Sequence, residues 1–335
     1  MSRIRELDFV KGCSILAVLA IHITAPFIHE APFFAINGLS RFCVPVFFLI
    51  SGLILFYRYG GENPFPLQDF YRKRLVYIMV PYFLWSLLYL IYSQWTDPQT
   101  VPDSLSGLFT ALLIGKAYYH LYFLFVMVQF YLLFPFLRWF FRKWGGWVIL
   151  VVAFWCTLGT QALTWEETKG LFSVQPEEEI LRRTVLPWLF YFCAGGWLGL
   201  RFHHAFSRLR RLPLIALHTV SSAAGVLLVY QMAYLNHGGF YTPTTMVYAL
   251  SILVLGIQLA QRFHFTWIEA VGKRSLGLYL IHPLVLHLSS SFSERWIPGG
   301  SWLQFFFVFA VVVSVSIGIT KILERIPYGY LLKGR

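Results

Sequence analysis

The chain has 335 residues, of which 58% are hydrophobic, 19% aromatic and only 13% charged. An ordinary soluble domain is thereby excluded, because its charged share would be about 25%. The formal net charge of +12 does not indicate nucleic acid, since the basic residues are strung between apolar runs and are better explained by membrane topology.

Apolar runs bounded by charges, Pro or Gly predict ten membrane-spanning helices, over residues 8–28, 40–58, 75–95, 118–140, 146–164, 184–201, 212–234, 240–262, 273–293 and 302–323. The expected fold is all-α, a polytopic integral membrane protein of about ten transmembrane helices in one bundle, with residues 1–335 as a single domain. The first run could be mistaken for a signal peptide, but its 21 residues make about 31 Å of helix, enough to cross the hydrocarbon core. Leu105 to Gly115 is too short to cross and is expected to lie at the interface. With the N-terminus inside, all 27 basic residues except Arg41, Lys116, Lys169, Arg182, Arg183 and Arg295 fall on the cytoplasmic side. That bias places both termini in the cytoplasm. The outer loop carries Glu166, Glu167, Glu177, Glu178 and Glu179 and reads as solvated surface. Cys13, Cys43, Cys156 and Cys193 lie within apolar runs and read as small buried residues, not as a disulfide framework or a metal site.

Chemistry enters with the first helix, where Asp8, Lys11, Ile15, Val18 and His22 share one face. Ionisable groups at membrane depth are costly and face protein or water, which makes them functional candidates. The competing account is that Asp8 and Lys11 are flanking charges and His22 a hydrogen-bonded packing residue. Asp8 and His22 are 14 residues apart, about 21 Å along a helix, so they form no acid–base dyad within it. His120 opens the fourth span and His282 lies within the ninth, so three histidines from separate helices can border one cavity. A neutral imidazole there can take a proton from a hydroxyl and return it to a leaving group. Metal ligation is the less favoured role, because no His-x-x-x-His pair or carboxylate partner supports it, and no metal is expected. His203, His204, His218, His237 and His264 fall near helix ends or loops and read as surface or interfacial residues.

Tyr71-Arg72-Lys73-Arg74 opens the third span, with Pro81-Tyr82 after it. Such a cluster either anchors a helix or seats an anionic headgroup or donor phosphates, and Lys11 would extend the positive track toward His22. In the second span Pro45 and Ser51-Gly52 mark a kinked or cavity-lining helix, with Ser51 more plausible as a packing residue than as a nucleophile. Arg41, at its outer end, either snorkels or holds an anionic acceptor or an oxyanion.

Five stretches in order carry a resemblance: Glu6-Leu7-Asp8-Phe9-Val10-Lys11-Gly12 with His22, Val44-Pro45-Val46-Phe47-Phe48-Leu49-Ile50-Ser51-Gly52, Arg72-Lys73-Arg74 with Pro81-Tyr82, His120-Leu121-Tyr122-Phe123-Leu124, and Gly272-Lys273-Arg274-Ser275-Leu276-Gly277-Leu278-Tyr279-Leu280-Ile281-His282. Together they resemble the bacterial acyltransferase family 3, the membrane-bound sugar O-acyltransferases. The resemblance implies a ten-helix bundle that takes an acyl group from cytoplasmic acyl-CoA, acetyl-CoA or succinyl-CoA, and delivers it to a carbohydrate hydroxyl at the outer face of the bacterial plasma membrane. It implies that His22 is the family's essential histidine and that Asp8, Lys11 and Arg74 match its charged motifs. Lys11 stands where Arg is common, which keeps charge but loses bidentate geometry. Tyr77 stands where a second Arg is usual, so a two-arginine donor clamp would need Arg72 or Lys73 as substitute.

The expected division of labour is that Arg72, Lys73, Arg74 and Lys11 hold the donor, Asp8 holds Lys11 or a neighbouring Arg, and His22 deprotonates the acceptor. Arg41, His120 and Tyr122 are expected to steady the oxyanion. Expected partners are acyl-CoA, the carbohydrate acceptor, membrane lipids and polysaccharide synthesis or export proteins. The rival expectation is a transporter or exporter of a small carboxylate or glycan, against which no matched pair of interrupted helices is visible.

Overall fold

In the computed structural model, residues 3–163, 178–209, 211–235 and 239–334 are described, and they are helical with no strand among them. Glu166, Glu167, Lys169 and Glu177 of the expected acidic loop, together with Arg210, His237 and Arg335, lie outside the described residues. The helices in chain order are α1 (Arg5–Thr24), α2 (Ala31–Ser40), α3 (Cys43–Tyr59), α4 (Leu67–Arg74), α5 (Val80–Thr96), α6 (Leu105–Leu113), α7 (Tyr122–Trp144), α8 (Gly146–Ala162) and α9 (Glu178–Arg182). They continue as α10 (Leu189–Leu200), α11 (Phe202–Leu209), α12 (Leu214–Tyr234), α13 (Pro243–Arg262), α14 (Thr266–Lys273), α15 (Ser275–Ser293), α16 (Trp302–Arg325) and α17 (Tyr330–Lys333).

Each of the ten expected spans is occupied by a helix. Seven helical segments among the described residues are long and apolar enough to cross a membrane by themselves, and Gly146–Ala162 and Leu186–Leu200 are shorter apolar helices. The chain is a multi-pass membrane protein. Three boundaries differ from expectation. The second span is preceded by α2, from which α3 is separated only by Arg41 and Phe42. The third reaches back through Leu75–Met79 to Leu67, as one segment Leu67–Thr96. The fourth begins at Tyr122, so His120 sits in the turn before it.

Close packing divides the chain into two compact units, Met1–Arg58 with Tyr191–Ile322, and Tyr59–Phe190 with Leu323–Arg335. In the first, α1 packs on α14, α2, α13 and α15. Its membrane-length window is 72% buried, against 28% for that of α16, so α1 is an inner helix while α16 presents most of its surface outward. Leu7, Val10, Ile15 and Leu19 form its apolar contact surface. Glycines set the closeness of the α1–α14 approach: a Cβ on Gly12 would meet the carbonyl of Ile268, and one on Gly272 would meet the carbonyl of Asp8.

In the second unit, Pro81 cannot donate to the carbonyl four residues before it, and the turn preceding it widens to a π-turn over Leu75–Met79, closed by the Val80 N–H on the Leu75 carbonyl. The short α6 ends in a Schellman arrangement: Gly115 has φ +71 and the Lys116 N–H bonds the Ala111 carbonyl at 2.9 Å. The Tyr82 hydroxyl donates to the Leu112 carbonyl at 2.7 Å, and the buried Arg183 donates to the carbonyls of Ile114 and Gly115. The end of a helix too short to be stable alone is thus satisfied by side chains from elsewhere in the unit.

Candidate active site

The N-terminal turn of α1 holds a carboxylate in the core. Asp8 is 1% exposed, a position that an isolated charge would occupy only at high cost. Arg3 Nε donates to its Oδ2 at 2.6 Å, and Lys11 Nζ, one turn along, lies 3.5 Å from Oδ1. Arg3 also donates to the Lys273 carbonyl at 3.2 Å, which ties this cluster to the end of α14. Next to it, Arg5 binds the Ala260 carbonyl and the His264 Nδ1, with Glu269 Oε1 at 3.6 Å. His264 therefore has a specific partner at its helix end.

The last turn of α1 carries His22. Its ring stacks on that of His282 in α15, with centroids 5.3 Å apart and planes inclined by 28°. Asn37 of α2, 5% exposed, donates to the Ile21 carbonyl at 3.0 Å and to Thr24 Oγ1 at 3.2 Å. That pins the end of the helix beside His22, where Pro26 stops further helix growth. His22 opens onto a cavity of about 120 Å³ whose walls include Phe27, Phe33 and Phe305 and whose polar lining includes Ser290, Glu294 and Gln304. Phe33 is itself wedged against Trp302 at 5.2 Å. A ligand there would meet an aromatic wall, hydroxyl and carboxylate groups, and one imidazole able to accept a proton.

The second unit holds the remaining charged candidates. Arg72 and Lys73 are exposed, whereas Arg74 is partly buried. The Arg74 guanidinium lies 4.7 Å from the Phe70 centroid and 5.0 Å from that of Tyr131. Two cation–π contacts hold this guanidinium in place. Tyr77 packs on Tyr330 at 5.7 Å. His120, 2% exposed, is boxed by Tyr89 at 5.2 Å, Tyr118 at 5.8 Å and Tyr119 at 5.4 Å. Tyr122 supports the Arg182 guanidinium at 5.0 Å.

Of the sequence candidates, Asp8 and Lys11 come together, and His22 meets His282. Arg41 belongs to the first unit, with its guanidinium 5.6 Å from the Phe240 ring. Arg72, Lys73, Arg74, His120 and Tyr122 belong to the second. The neighbouring Arg expected beside Asp8 is Arg3, whereas Asn37 and Arg183 escaped the sequence reading as structural partners. A lone Asn in the apolar run 31–40 is the available signal for Asn37.

The chain is 23% identical to a protein of Bacillus subtilis strain 168 whose name describes a membrane-bound acyltransferase, YfiQ, over 99% of this chain and 95% of that one. It is 26% identical, over 42% of its own length and 40% of the other, to a protein of Staphylococcus epidermidis whose name describes a poly-beta-1,6-N-acetyl-D-glucosamine export protein. No solved structure matches the chain. The model of the family described as an acyltransferase domain, acyltransferase family 3, matches residues 4–321, and the chain therefore belongs to that family of acyltransferases.

Proposed function

We propose that this acyltransferase moves an acyl group, acetyl or succinyl, from cytoplasmic acyl-CoA to a hydroxyl of an extracytoplasmic carbohydrate at the bacterial plasma membrane. The observation that carries this reading is the opening of His22, at the end of an inner helix, onto a cavity with aromatic and polar walls. Aromatic faces with hydroxyl and carboxylate groups suit a sugar, whose C–H face packs on rings while its hydroxyls donate and accept.

In this reading His22 takes the proton of the acceptor hydroxyl as the oxygen attacks the thioester carbonyl. The tetrahedral oxyanion, steadied by Arg41, collapses with loss of the CoA thiolate, and the proton on His22 passes to that sulfur. Arg72, Lys73 and Arg74 bind the donor phosphates. Arg74, held by two rings, offers a guanidinium to the phosphates, and the two exposed residues supply charge. Asp8 holds Lys11 in place on the donor side.

The test is the full chain in proteoliposomes with acetyl-CoA or succinyl-CoA and β-1,6-linked N-acetylglucosamine oligomers, one candidate acceptor among neutral oligosaccharides. The expected result is an acylated oligosaccharide by mass spectrometry, lost in His22→Ala. Transfer by His22→Ala at the wild-type rate would remove the central assignment. The name of the Staphylococcus epidermidis relative favours a second reading, export of a glycan, and movement of the oligomers across the vesicle membrane without acyl-CoA would support it.

A further inference from the structure

His282 takes no part in the proton transfer described above, yet it is fully buried and stacked on the base. Its neighbour Pro283 lies inside α15. Proline has no N–H, so the Tyr279 carbonyl, four residues back, loses its ordinary helical partner. The His282 ring replaces it: Nδ1 lies 2.8 Å from the Tyr279 carbonyl oxygen and 3.3 Å from that of Leu278. A carbonyl oxygen only accepts, so Nδ1 carries the proton and, in the neutral ring, Nε2 carries the lone pair. Both the tautomer and the plane of His282 are therefore set by the backbone of its own helix. A ring fixed in this way offers His22 a rigid face, inclined to its own by 28°.

We propose that His282 is a positioning residue: the carbonyl freed by Pro283 locks its ring, and the locked ring holds the plane of His22 so that the proton-accepting nitrogen stays aimed at the cavity. The proposal rests on the reading of His22 as the base. Proline here acts at a distance, by withholding one N–H. A neutral ring against the face of His22 also accommodates the imidazolium that forms as the hydroxyl proton is taken.

The test is a double-mutant cycle in the full chain, in proteoliposomes, read as kcat and KM for acetyl-CoA alongside His22→Ala. Pro283→Ala restores an N–H that competes for the Tyr279 carbonyl, and His282→Phe keeps a stacking ring but cannot donate. Each is expected to lower kcat about tenfold or more with KM nearly unchanged, because a misaligned base loses rate rather than binding. Combined, they are expected to cost little more than His282→Phe alone, since with no donating ring the competition no longer matters. Additive losses, or wild-type kcat in both single variants while His22→Ala is inactive, would overturn the proposal. Wild-type activity in His22→Ala would instead remove the base itself, and the proposal with it. Should Pro283→Ala fail to fold, His282→Phe and His282→Asn carry the test: one stacks without donating, the other donates without stacking, and wild-type kcat in either overturns it.

Discussion

Arg3 Nε and Asp8 Oδ2 meet at 2.6 Å, and this contact, not the Lys11 pair at 3.5 Å, is the shorter support of the buried carboxylate. The two cations are not equivalent. Removing Lys11 leaves Asp8 paired with Arg3, whereas removing Asp8 leaves Lys11 without its counter-charge.

Asp8→Ala is therefore expected to be the most damaging single change in this cluster. Breaking a fully buried pair costs about 3–5 kcal/mol, and the Lys11 side chain keeps 22% exposure, so about 2–3 kcal/mol is expected here. Lys11→Met should cost less, and Asp8→Ala with Lys11→Met should recover part of the loss. Thermal unfolding in detergent gives the order, and a double variant worse than the sum of the singles would contradict it.

Gly272 is expected to tolerate no side chain. Its Cβ would collide with the backbone carbonyl of Asp8, and a helix backbone cannot step aside as a flexible side chain can. Gly272→Ala should destabilise by about 1–3 kcal/mol, the usual cost of overpacking, and Gly272→Leu should prevent accumulation in the membrane. A Gly272→Ala protein with an unchanged melting temperature would show that α14 can lift off α1 freely.

Hydropathy located the helices because a spanning helix must satisfy its backbone internally and cover itself with apolar side chains. It could not place the start of α7, because Tyr118, Tyr119 and His120 form an aromatic turn with no Gly or Pro to mark the boundary before the helix. It missed the π-turn at Leu75–Met79, since Pro81 was legible as a helix disturbance but not the way in which the chain would absorb it. In the site, the Asp8–Lys11 pair follows from their spacing on one helix. The stacking of His22 on His282 depends on α15 packing against α1, a choice of neighbours that no local pattern encodes.

Glu179 should give the second unit an acid-sensitive component. Its hydrogen bond from Arg183 Nη2 at 2.7 Å, with the charges of Arg183, Lys116 and Arg182 nearby, holds its carboxyl below the ordinary carboxylate value. A depressed folded-state pKa stabilises above the unfolded value and loses that contribution as pH falls through the folded one. The wild-type protein should therefore lose more melting temperature than Glu179→Gln when pH drops from neutral to below the ordinary carboxylate range. Because Glu179 is half exposed, the difference should be small and should shrink with salt. Equal losses in the two proteins would show that the pair contributes nothing.

Pro81 should control donor binding without touching the donor. The π-turn before it inserts one residue relative to a regular helix, which sets the rotation of the Arg72–Arg74 turn relative to α5 by about 100°. Pro81→Ala supplies the missing N–H to the Tyr77 carbonyl and favours a continuous α-helix, so the protein should become slightly more stable. In that form Arg74 would turn together with Phe70, which shares α4, and away from Tyr131 of α7, so its guanidinium, now set against both rings, would lose one of them. KM for acyl-CoA should rise about tenfold, while kcat at saturation changes little, as when uniform binding is lost. Arg74→Lys should raise KM to a similar degree, because it keeps the charge but loses the bidentate edge. Kinetics of both variants against acetyl-CoA decide the matter: a Pro81→Ala enzyme with normal KM would mean that the π-turn persists without the proline or that the Arg72–Arg74 turn does not hold the donor, and a normal KM in Arg74→Lys would single out the second.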